Sequence, residues 1–145
     1  MIWGGFSASG LNTVVRIQGK LNAQAYIELL NEHLLPLELP DNGVQFQQDN
    51  ALPHRSSQTI EWLAENGIDV MPWPPQSPDL NPIENVWGYL RARLEHREIR
   101  NMEDLWTAVQ DEWAELPADQ LTLLNDSMPD RIRAVISANG GHTTY

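Results

Sequence analysis

Short apolar runs in the first half of the chain alternate with turn signals and predict β-strands. Residues 2–7 and 11–18 are two β-rich runs separated by Ser9-Gly10, so we expect an antiparallel hairpin. Residues 44–48 and 68–71 predict two further strands with a helical segment between them. Because the links are short, this strand, helix, strand order predicts a parallel pair with a right-handed crossover. The chain is therefore predicted to be an α/β protein.

Five segments carry apolar residues at the spacing of a one-faced helix. In the second of these, Ile60, Leu63 and Ala64 are predicted to face the interior. The C-terminal part of the chain is predicted to be helical. The predicted helices run from Asn22 to Pro36, from His54 to Asn66 with Gly67 as the stop, from Asn81 to Leu94, from Asn101 to Pro117, and from Ser127 to Gly140-Gly141, with Asn22, Asn81, Asn101 and Ser127 as capping residues.

A proline-rich segment over residues 72–82 precedes the third predicted helix. It contains five prolines, each of which fixes the backbone angle φ. We therefore expect an extended and stiff surface loop. Such stiffness would position the helix that follows, which carries Glu84 in its first turn.

Length and composition are consistent with one ordinary domain over residues 1–145. With 41% hydrophobic residues and six tryptophans, the chain can bury a core. No apolar run approaches the ~20 residues needed to span a bilayer, and no basic leader opens the sequence, so we expect an intracellular protein without a membrane partner. The absence of cysteine excludes a disulfide framework and a Cys-based zinc site.

The net charge of −11 disfavours DNA as a partner that the chain binds through its overall charge. Non-specific affinity for DNA comes from neutralising phosphates, and this chain has 9 basic and 20 acidic side chains. Any nucleic-acid role would therefore need a local basic patch, a metal or a further segment. The best candidate patch comprises Arg91, Arg93, Arg97 and Arg100. Two glutamates within this patch leave an ordinary solvated helix as an equal alternative.

Asp49 and Glu84 are the candidate catalytic acids, with 34 residues between them. Asp49 closes a predicted strand, where ligand sites form in open α/β sheets, although Asp49-Asn50 could simply begin a turn. Glu84 has a stronger local alternative, because behind the cap Asn81 it would complete a capping box. Two carboxylates brought together at the mouth of a sheet would suit hard cations such as Mg²⁺ or Mn²⁺.

A two-metal site for phosphodiester chemistry usually needs more carboxylates than these two. The other nearby acids are Asp41, Asp69 and Asp79. We expect Asp41 in a turn, Asp69 at the start of a strand and Asp79 in the proline-rich segment. None of them is a convincing third ligand, so the pair is predicted to be an incomplete two-metal site.

Three segments of the chain match the motifs of one family. Residues 47–54 (QQDNALPH) are similar to its second-aspartate motif, and residues 71–87 (MPWPPQSPDLNPIENVW) to its final-acid motif with a 34-residue gap and a glutamate. Residues 140–145 (GGHTTY) are similar to its C-terminal ending, and residues 3–7 (WGGFS) to its early hairpin. The chain thus resembles the catalytic domain of mariner-type DDE transposases, which are cut-and-paste DNA transposases.

The resemblance implies an RNase H-like mixed sheet flanked by helices, lacking its first strand, with a helical C-terminal part. It also implies that Asp49 and Glu84 are the second and third acids of a site for two Mg²⁺ or Mn²⁺ ions. Such an enzyme cleaves and joins DNA at transposon ends in the nucleus, as a homo-oligomer or beside a full-length relative. The family's first aspartate lies upstream of the matching hairpin, so we expect a truncated domain that is inactive alone.

Four further residues are candidates for supporting roles. Asn50 and Asn85 adjoin the two acids and could orient them by hydrogen bonds, although capping and solvent exposure are equal alternatives. His54 could touch DNA or order a metal-bound water, or it could simply enter a helix. Trp73 lies in the proline-rich segment and could brace that segment or contact DNA.

Two alternatives to a catalytic role stay open. The chain could be a non-catalytic relic or a co-opted interaction module, which its acidic charge and the expected missing strand favour. Met1 could also be an internal methionine of a longer gene, and an in-frame upstream strand that contains an aspartate would settle this point.

Overall fold

In the computed structural model, which describes residues 1–7, 10–37 and 44–145, the chain forms two units. The first unit contains Met1 and Ile17–Gln76, and the second contains Ile2–Arg16 and Ser77–Tyr145. The N-terminal hairpin therefore belongs with the C-terminal helices rather than with the residues that follow it. The single domain over residues 1–145 stays a prediction.

Two helices supply most of the buried side chains of the first unit. Helix α1 (Ala23–His33) begins after Asn22, whose side-chain oxygen accepts the N–H of Ala25 at 2.9 Å, which confirms the predicted cap. Helix α1 packs against helix α2 (Ser57–Glu65). The buried residues of the two helices are Tyr26, Leu29 and Leu30 of α1 and Thr59 and Leu63 of α2. Burial of this mainly apolar surface stabilises the first unit.

Helix α2 is shorter than predicted and presents a partly different face. It begins after Ser56, whose hydroxyl accepts the N–H of Thr59 at 3.2 Å, rather than at His54. Leu63 is buried as predicted, and Thr59 is buried because its hydroxyl donates to the carbonyl of Pro53 at 2.7 Å. A satisfied threonine thus takes an inward position that the apolar pattern assigns elsewhere. The residues wrongly predicted to face inward are Ile60 and Ala64, which are exposed.

The predicted parallel pair is present in direction but reduced in extent. Phe46 and Val70 form a single parallel bridge, in which the Phe46 N–H donates to the Asp69 carbonyl at 2.7 Å. The Met71 N–H donates back to the Phe46 carbonyl at 2.9 Å. Pro72 follows at once, and its ring holds φ near −65° rather than the ~−120° of a parallel strand, so the pairing does not extend beyond Met71.

The N-terminal hairpin is confirmed and belongs to the second unit. Strand β1 (Ile2–Ser7) pairs antiparallel with strand β2 (Gly10–Arg16), with Gly4 opposite Val14 and a register shift between Gly4 and Phe6. Residues 8–9, which include part of the predicted turn, lie outside the described residues. The second unit thus begins with a two-stranded ribbon onto which helices pack.

Four helices follow in the second unit: α3 (Ile83–Leu94), α4 (Met102–Ala114), α5 (Ala118–Asp126) and α6 (Met128–Ser137). The sequence pattern predicts only two helices after residue 100, and α5 is the one that it misses. Helix α5 follows Pro117 directly and buries only Leu121 of its own residues, so its apolar periodicity is weak. The core comprises Val86, Leu90, Trp113, Leu116 and Leu121, with Phe6 and Val14 of the hairpin packed against it.

The capping predictions in the second unit have different outcomes. Asn101 caps α4, since its side-chain oxygen accepts the N–H groups of Glu103 and Asp104, both at 2.9 Å. At α3 the N-cap position falls on Pro82 rather than on the predicted Asn81, because the helix begins at Ile83, and a proline ring offers no acceptor for a capping bond. The last helix begins after Ser127 as predicted, but the Ser127 hydroxyl makes no capping bond either. A capping box therefore does not explain Glu84.

The hairpin meets the helices at a point where only glycine fits. A Cβ atom on Gly4 would lie 2.8 Å from Cη2 of Trp113 and 2.9 Å from Cη2 of Trp87. The two indole rings pack beside each other with centroids 5.5 Å apart. Gly4 therefore lets the strand approach two tryptophans that come from α3 and α4.

Taken together, these elements confirm the predicted α/β class with a helical C-terminal part. Within the part of the chain that the structure describes, no helix has the length and apolar character that a membrane crossing requires.

Candidate active site

Asp49 lies three residues after the Phe46–Val70 bridge, in an exposed loop of the first unit. Its side chain is 57% exposed. The Oδ1 atom accepts the N–H of Ala51 at 2.8 Å, which closes the turn that Asp and Asn favour at such positions. Turn formation and availability to a ligand therefore coexist at this residue.

His54 holds the same oxygen of Asp49 from the other side. Its Nδ1 atom lies 2.7 Å from Oδ1 of Asp49, and its side chain is largely buried. The imidazole stacks on the ring of Tyr26 with centroids 4.2 Å apart, and the Tyr26 hydroxyl donates to Oε1 of Gln48 at 2.7 Å. Among the described residues, no partner contacts Oδ2 of Asp49. One oxygen of the carboxylate is thus fixed, while the other is open.

Tyr26 and Gln48 are supporting residues that the sequence analysis misses. Tyr26 lies on the apolar stripe of α1, where it is interpreted only as a core residue. The available signal was its hydroxyl, because a buried tyrosine usually places that group against a polar partner. Gln48 precedes Asp49 directly and was the nearest polar candidate in the same segment.

The side chain of Asn50 turns away from the neighbouring carboxylate of Asp49 to the proline-rich segment. Its side-chain nitrogen donates to the main-chain carbonyl of Trp73 at 2.8 Å, so it connects the Asp49 loop with the proline-rich segment. The indole of Trp73 is half-buried. The Asn50 side chain therefore braces the loop, while bracing by the Trp73 indole and its contact with DNA both stay predictions.

Glu84 lies in the first turn of α3 in the second unit. Its side chain is exposed, and its N–H donates to the Asn81 carbonyl at 3.1 Å. No described residue forms a hydrogen bond or an ion pair with its carboxylate. Both carboxylate oxygens are therefore available to a ligand.

Asn85, next to Glu84, turns its side chain towards helix α6. Its Oδ1 atom accepts a hydrogen bond from Nη2 of Arg131 at 2.7 Å. Arg131 is a buried arginine that the sequence analysis does not single out. Its residue type hid it, since arginine is almost never fully buried without partners.

The arginines predicted to bind DNA are mostly engaged with acidic side chains. Arg93 and Arg97 each place Nε 2.6 Å from an oxygen of Glu112, which is only 3% exposed. Hydrogen bonds from Arg93 and Arg97 lower the pKa of Glu112 below its ordinary value of 4.5, and the bond to Glu112 raises the pKa of both arginines. These two guanidinium groups therefore join α3 to α4.

Arg91 is the most available member of the predicted patch. Its side chain is 85% exposed, and its nearest acid, Glu95, lies 3.8 Å away. Arg100 instead contacts Glu98 at 2.7 Å. Exposed pairs of this kind are weak, so a phosphate could replace Glu95 as the partner of Arg91 at little cost.

The donor types at Asp49 and Glu84 fit a hard cation, because carboxylate oxygens are the ligands that Mg²⁺ and Mn²⁺ prefer. Their number is small, since no group of three or more His, Asp or Glu side chains in the described residues could hold a metal ion. Asp69 accepts a hydrogen bond from Gln45, and Asp79 from Thr143. Asp41 lies outside the described residues.

The model of one protein family, described as "DDE superfamily endonuclease", matches residues 1–106. The chain belongs to this family. Among relatives, it is 35% identical to the Transposable element Tc1 transposase of Caenorhabditis elegans over 147 residues, which cover 100% of this chain and 54% of that protein. The DDE chain thus spans about half the length of the relatives that it matches.

Solved structures agree with the family in fold. The catalytic domain of Mos1 transposase, with raltegravir and Mg, superposes with a TM-score of 0.87 at 19% identity and covers 98% of this chain and 76% of that one. A Mos1 transposase paired-end complex with left transposon end also gives 0.87 at 19% identity, covering 97% of this chain and 44% of that one. The DDE chain therefore has the RNase H-like fold of a mariner transposase catalytic domain, as the motifs predict.

Proposed function

We propose that this DDE chain is part of the catalytic domain of a DNA transposase, in which Asp49 and Glu84 are metal ligands. The observation that carries the proposal is the state of the Asp49 carboxylate, which is fixed through Oδ1 and open at Oδ2. A carboxylate held in this way can coordinate a cation without first losing its orientation. Glu84 supports the proposal because both of its oxygens are available.

Each residue of the proposed site has a separate task. Asp49 and Glu84 would hold the Mg²⁺ or Mn²⁺ ions, and His54 would keep Asp49 in one rotamer. Bound metal ions supply activation of the attacking hydroxyl or water and stabilisation of the leaving oxygen of a phosphodiester. Arg91 would contact a DNA phosphate, since it is the most exposed member of the predicted patch. The substrate would be DNA at transposon ends, as the Mos1 complex with a left transposon end suggests, and the location nuclear.

Metal binding by the two acids is testable with Mn²⁺ as the probe. We expect Mn²⁺ to broaden amide NMR signals near Asp49 and near Glu84 in the 145-residue protein. Because each acid is a direct ligand, Asp49→Asn and Glu84→Gln should each weaken the local effect by about tenfold. The matched controls are Asp69→Asn and Glu61→Gln, which replace acids outside the proposed site and should change nothing. Equal broadening in all four variants would refute the metal assignment.

We further propose that the 145-residue chain does not cleave DNA alone. Two-metal chemistry needs a bridging carboxylate and further ligands, and the described residues hold no group of three candidate ligands. Incubation with supercoiled plasmid DNA and Mn²⁺ should therefore leave the plasmid intact. Nicking by the wild-type chain that disappears in Asp49→Asn would show that the site is complete.

The lack of a group of three candidate metal ligands among the described residues favours a second function. In this alternative the chain is a non-catalytic module that pairs with a full-length transposase. A net charge of −11 also disfavours independent binding to DNA. Mixing the chain with full-length Tc1 transposase and measuring the complex by analytical ultracentrifugation tests this alternative. A mixed complex would favour the module, whereas a chain that stays monomeric in the mixture would count against it.

A further inference from the structure

Arg131 of helix α6 is a buried cation, with only 2% of its surface exposed. Its guanidinium donates to three neutral oxygens: Oγ of Ser127 at 2.8 Å, the carbonyl of Asp79 at 2.7 Å and Oδ1 of Asn85 at 2.7 Å. Among the described residues it has no carboxylate within ion-pair distance. Burial lowers its pKa, so the three acceptors must compensate for its lost hydration.

Two of these acceptors bracket Glu84 in the sequence. Asp79 precedes it by five residues, and Asn85 follows it directly. The helix between them begins behind Pro82 without a capping bond from that side chain. Arg131 thus contacts the residues on both sides of Glu84 from a helix that lies 46 residues after Asn85.

The C-terminal residues add a second layer to this contact. The Thr143 hydroxyl donates to Oδ2 of Asp79 at 2.9 Å, and the N–H of Leu80 donates to Oδ1 at 3.1 Å. The ring of Tyr145 lies 4.8 Å from Cζ of Arg131, within the range of a cation–π contact. The chain end therefore covers the arginine and holds the residue that the arginine binds.

We infer that Arg131 is a positioning residue for Glu84, acting through Asp79 and Asn85 with Thr143 and Tyr145 as its cover. This role deepens the proposed function and rests on it, because Glu84 must be a metal ligand for its position to matter. A planar guanidinium suits the task, since its fork can direct three hydrogen bonds at fixed angles, which an ammonium group cannot do.

Hydrogen exchange of the full 145-residue chain tests the positioning role without relying on activity. The amides of Asn81, Glu84 and Asn85 are hydrogen-bonded and report the start of α3. In Arg131→Gln we expect their exchange to accelerate at least about tenfold relative to wild type, because contacts that hold this segment are lost. The matched control is Arg133→Gln, two residues along the same helix. Arg133 is exposed and pairs with Asp130 of its own helix.

Conservative variants sharpen the test. Arg131→Lys keeps the charge but not the fork, so it should restore the exchange rates only in part. Thr143→Val removes the donor to Asp79 and should give a smaller local increase, whereas the exposed neighbour Thr144→Val should give none. Exchange at the start of α3 that is unchanged in Arg131→Gln, or that rises as much in Arg133→Gln, would overturn the inference, as would full restoration by lysine.

Mn²⁺ separates this inference from the function on which it rests. If Glu84 is a ligand and Arg131 positions it, Arg131→Gln should weaken Mn²⁺ broadening around Glu84 several-fold and leave broadening around Asp49 unchanged. If Mn²⁺ broadening in Glu84→Gln equals that in the wild type, the assignment of Glu84 as a metal ligand fails. Faster amide exchange at the start of α3 in Arg131→Gln would then still support the role of Arg131 in positioning α3. Unchanged Mn²⁺ broadening around a proven ligand Glu84 would overturn the positioning role alone.

Discussion

Asp49 is held by residues close to it in the chain, whereas the start of helix α3, which carries Glu84, is held by residues far from it. Ala51 and His54, two and five residues away, fix one oxygen of Asp49. Arg131, 46 residues after Asn85, contacts the segment around Glu84. The difference teaches that a loop with a candidate metal ligand can carry its own support, while the start of a helix can also be held by contacts from another helix.

The largest effect should come from removing the distant support. Arg131→Gln loses three directed, part-buried hydrogen bonds at a buried position, so the free energy of unfolding should fall by about 2–4 kcal/mol. Urea denaturation followed by tryptophan fluorescence measures this change. Arg133→Gln, at an exposed position of the same helix, should stay within about 0.5 kcal/mol of wild type. Equal losses in the two variants would remove the contrast between local and distant support.

A somewhat smaller effect is expected where the hairpin meets the helices. Gly4→Ala would place a methyl group 2.8 Å from the Trp113 ring, so overpacking should lower the free energy of unfolding by about 1–3 kcal/mol. The matched control is Gly88→Ala, because among the described residues no atom beyond its chain neighbours and its own helix backbone lies within 4 Å of the added methyl group, and alanine favours a helix interior. Thermal denaturation of both variants compares them. If Gly4→Ala leaves the thermal stability unchanged, the second unit tolerates an added methyl group where the hairpin meets helices α3 and α4.

The local support of Asp49 should contribute less. Tyr26→Phe keeps the ring that stacks on His54 but removes the hydroxyl that donates to Gln48, so we expect a loss of about 1 kcal/mol in urea denaturation. Tyr89→Phe is the control, because no described residue forms a hydrogen bond with its hydroxyl. A loss in Tyr26→Phe as large as that in Arg131→Gln would contradict the ranking of the two regions.

Replacing Glu112 by glutamine should change stability least near neutral pH and should alter how stability depends on pH in acid. Its pKa is lowered in the folded protein by Arg93 and Arg97, so its contribution to stability is present above the unfolded value of 4.5 and disappears as pH falls through the folded pKa. Denaturation midpoints of wild type should therefore fall with pH below about 4.5 more steeply than those of Glu112→Gln. Parallel pH profiles would show that the ion pairs between α3 and α4 contribute nothing.

Local chemistry explains which parts of the fold could be predicted from the sequence. The caps at Asn22 and Asn101 and the hairpin follow from short-range rules, and the structure agrees with all three. The cap at Asn81 failed because two prolines and a short turn of 3₁₀ helix over Pro78–Leu80 shift the start of α3. Helix α5 was missed because only two of its described residues, Leu121 and Leu124, pack into or against the core.

The motifs around Asp49 and Glu84 were sufficient to identify the family, and the match over residues 1–106 agrees with them. Sequence spacing could not reveal that Arg93 and Arg97 bind Glu112 rather than standing free for phosphate, because their partner lies on another helix. It also could not reveal Arg131, whose burial depends on acceptors contributed by segments far apart in the chain.

Residue types and spacing along the chain were enough for the family, the candidate acids and most helices, since these depend on neighbours within a few positions. Which cation supports Glu84, and which arginines are already paired, depended on folding, because hydrogen bonds and burial are set by distance in space. The support of Asp49 could be predicted from the sequence, because the residues that hold it lie within five positions of it. The contacts around Glu84 could be seen only in the tertiary structure, because they come from Arg131 of helix α6, far along the chain.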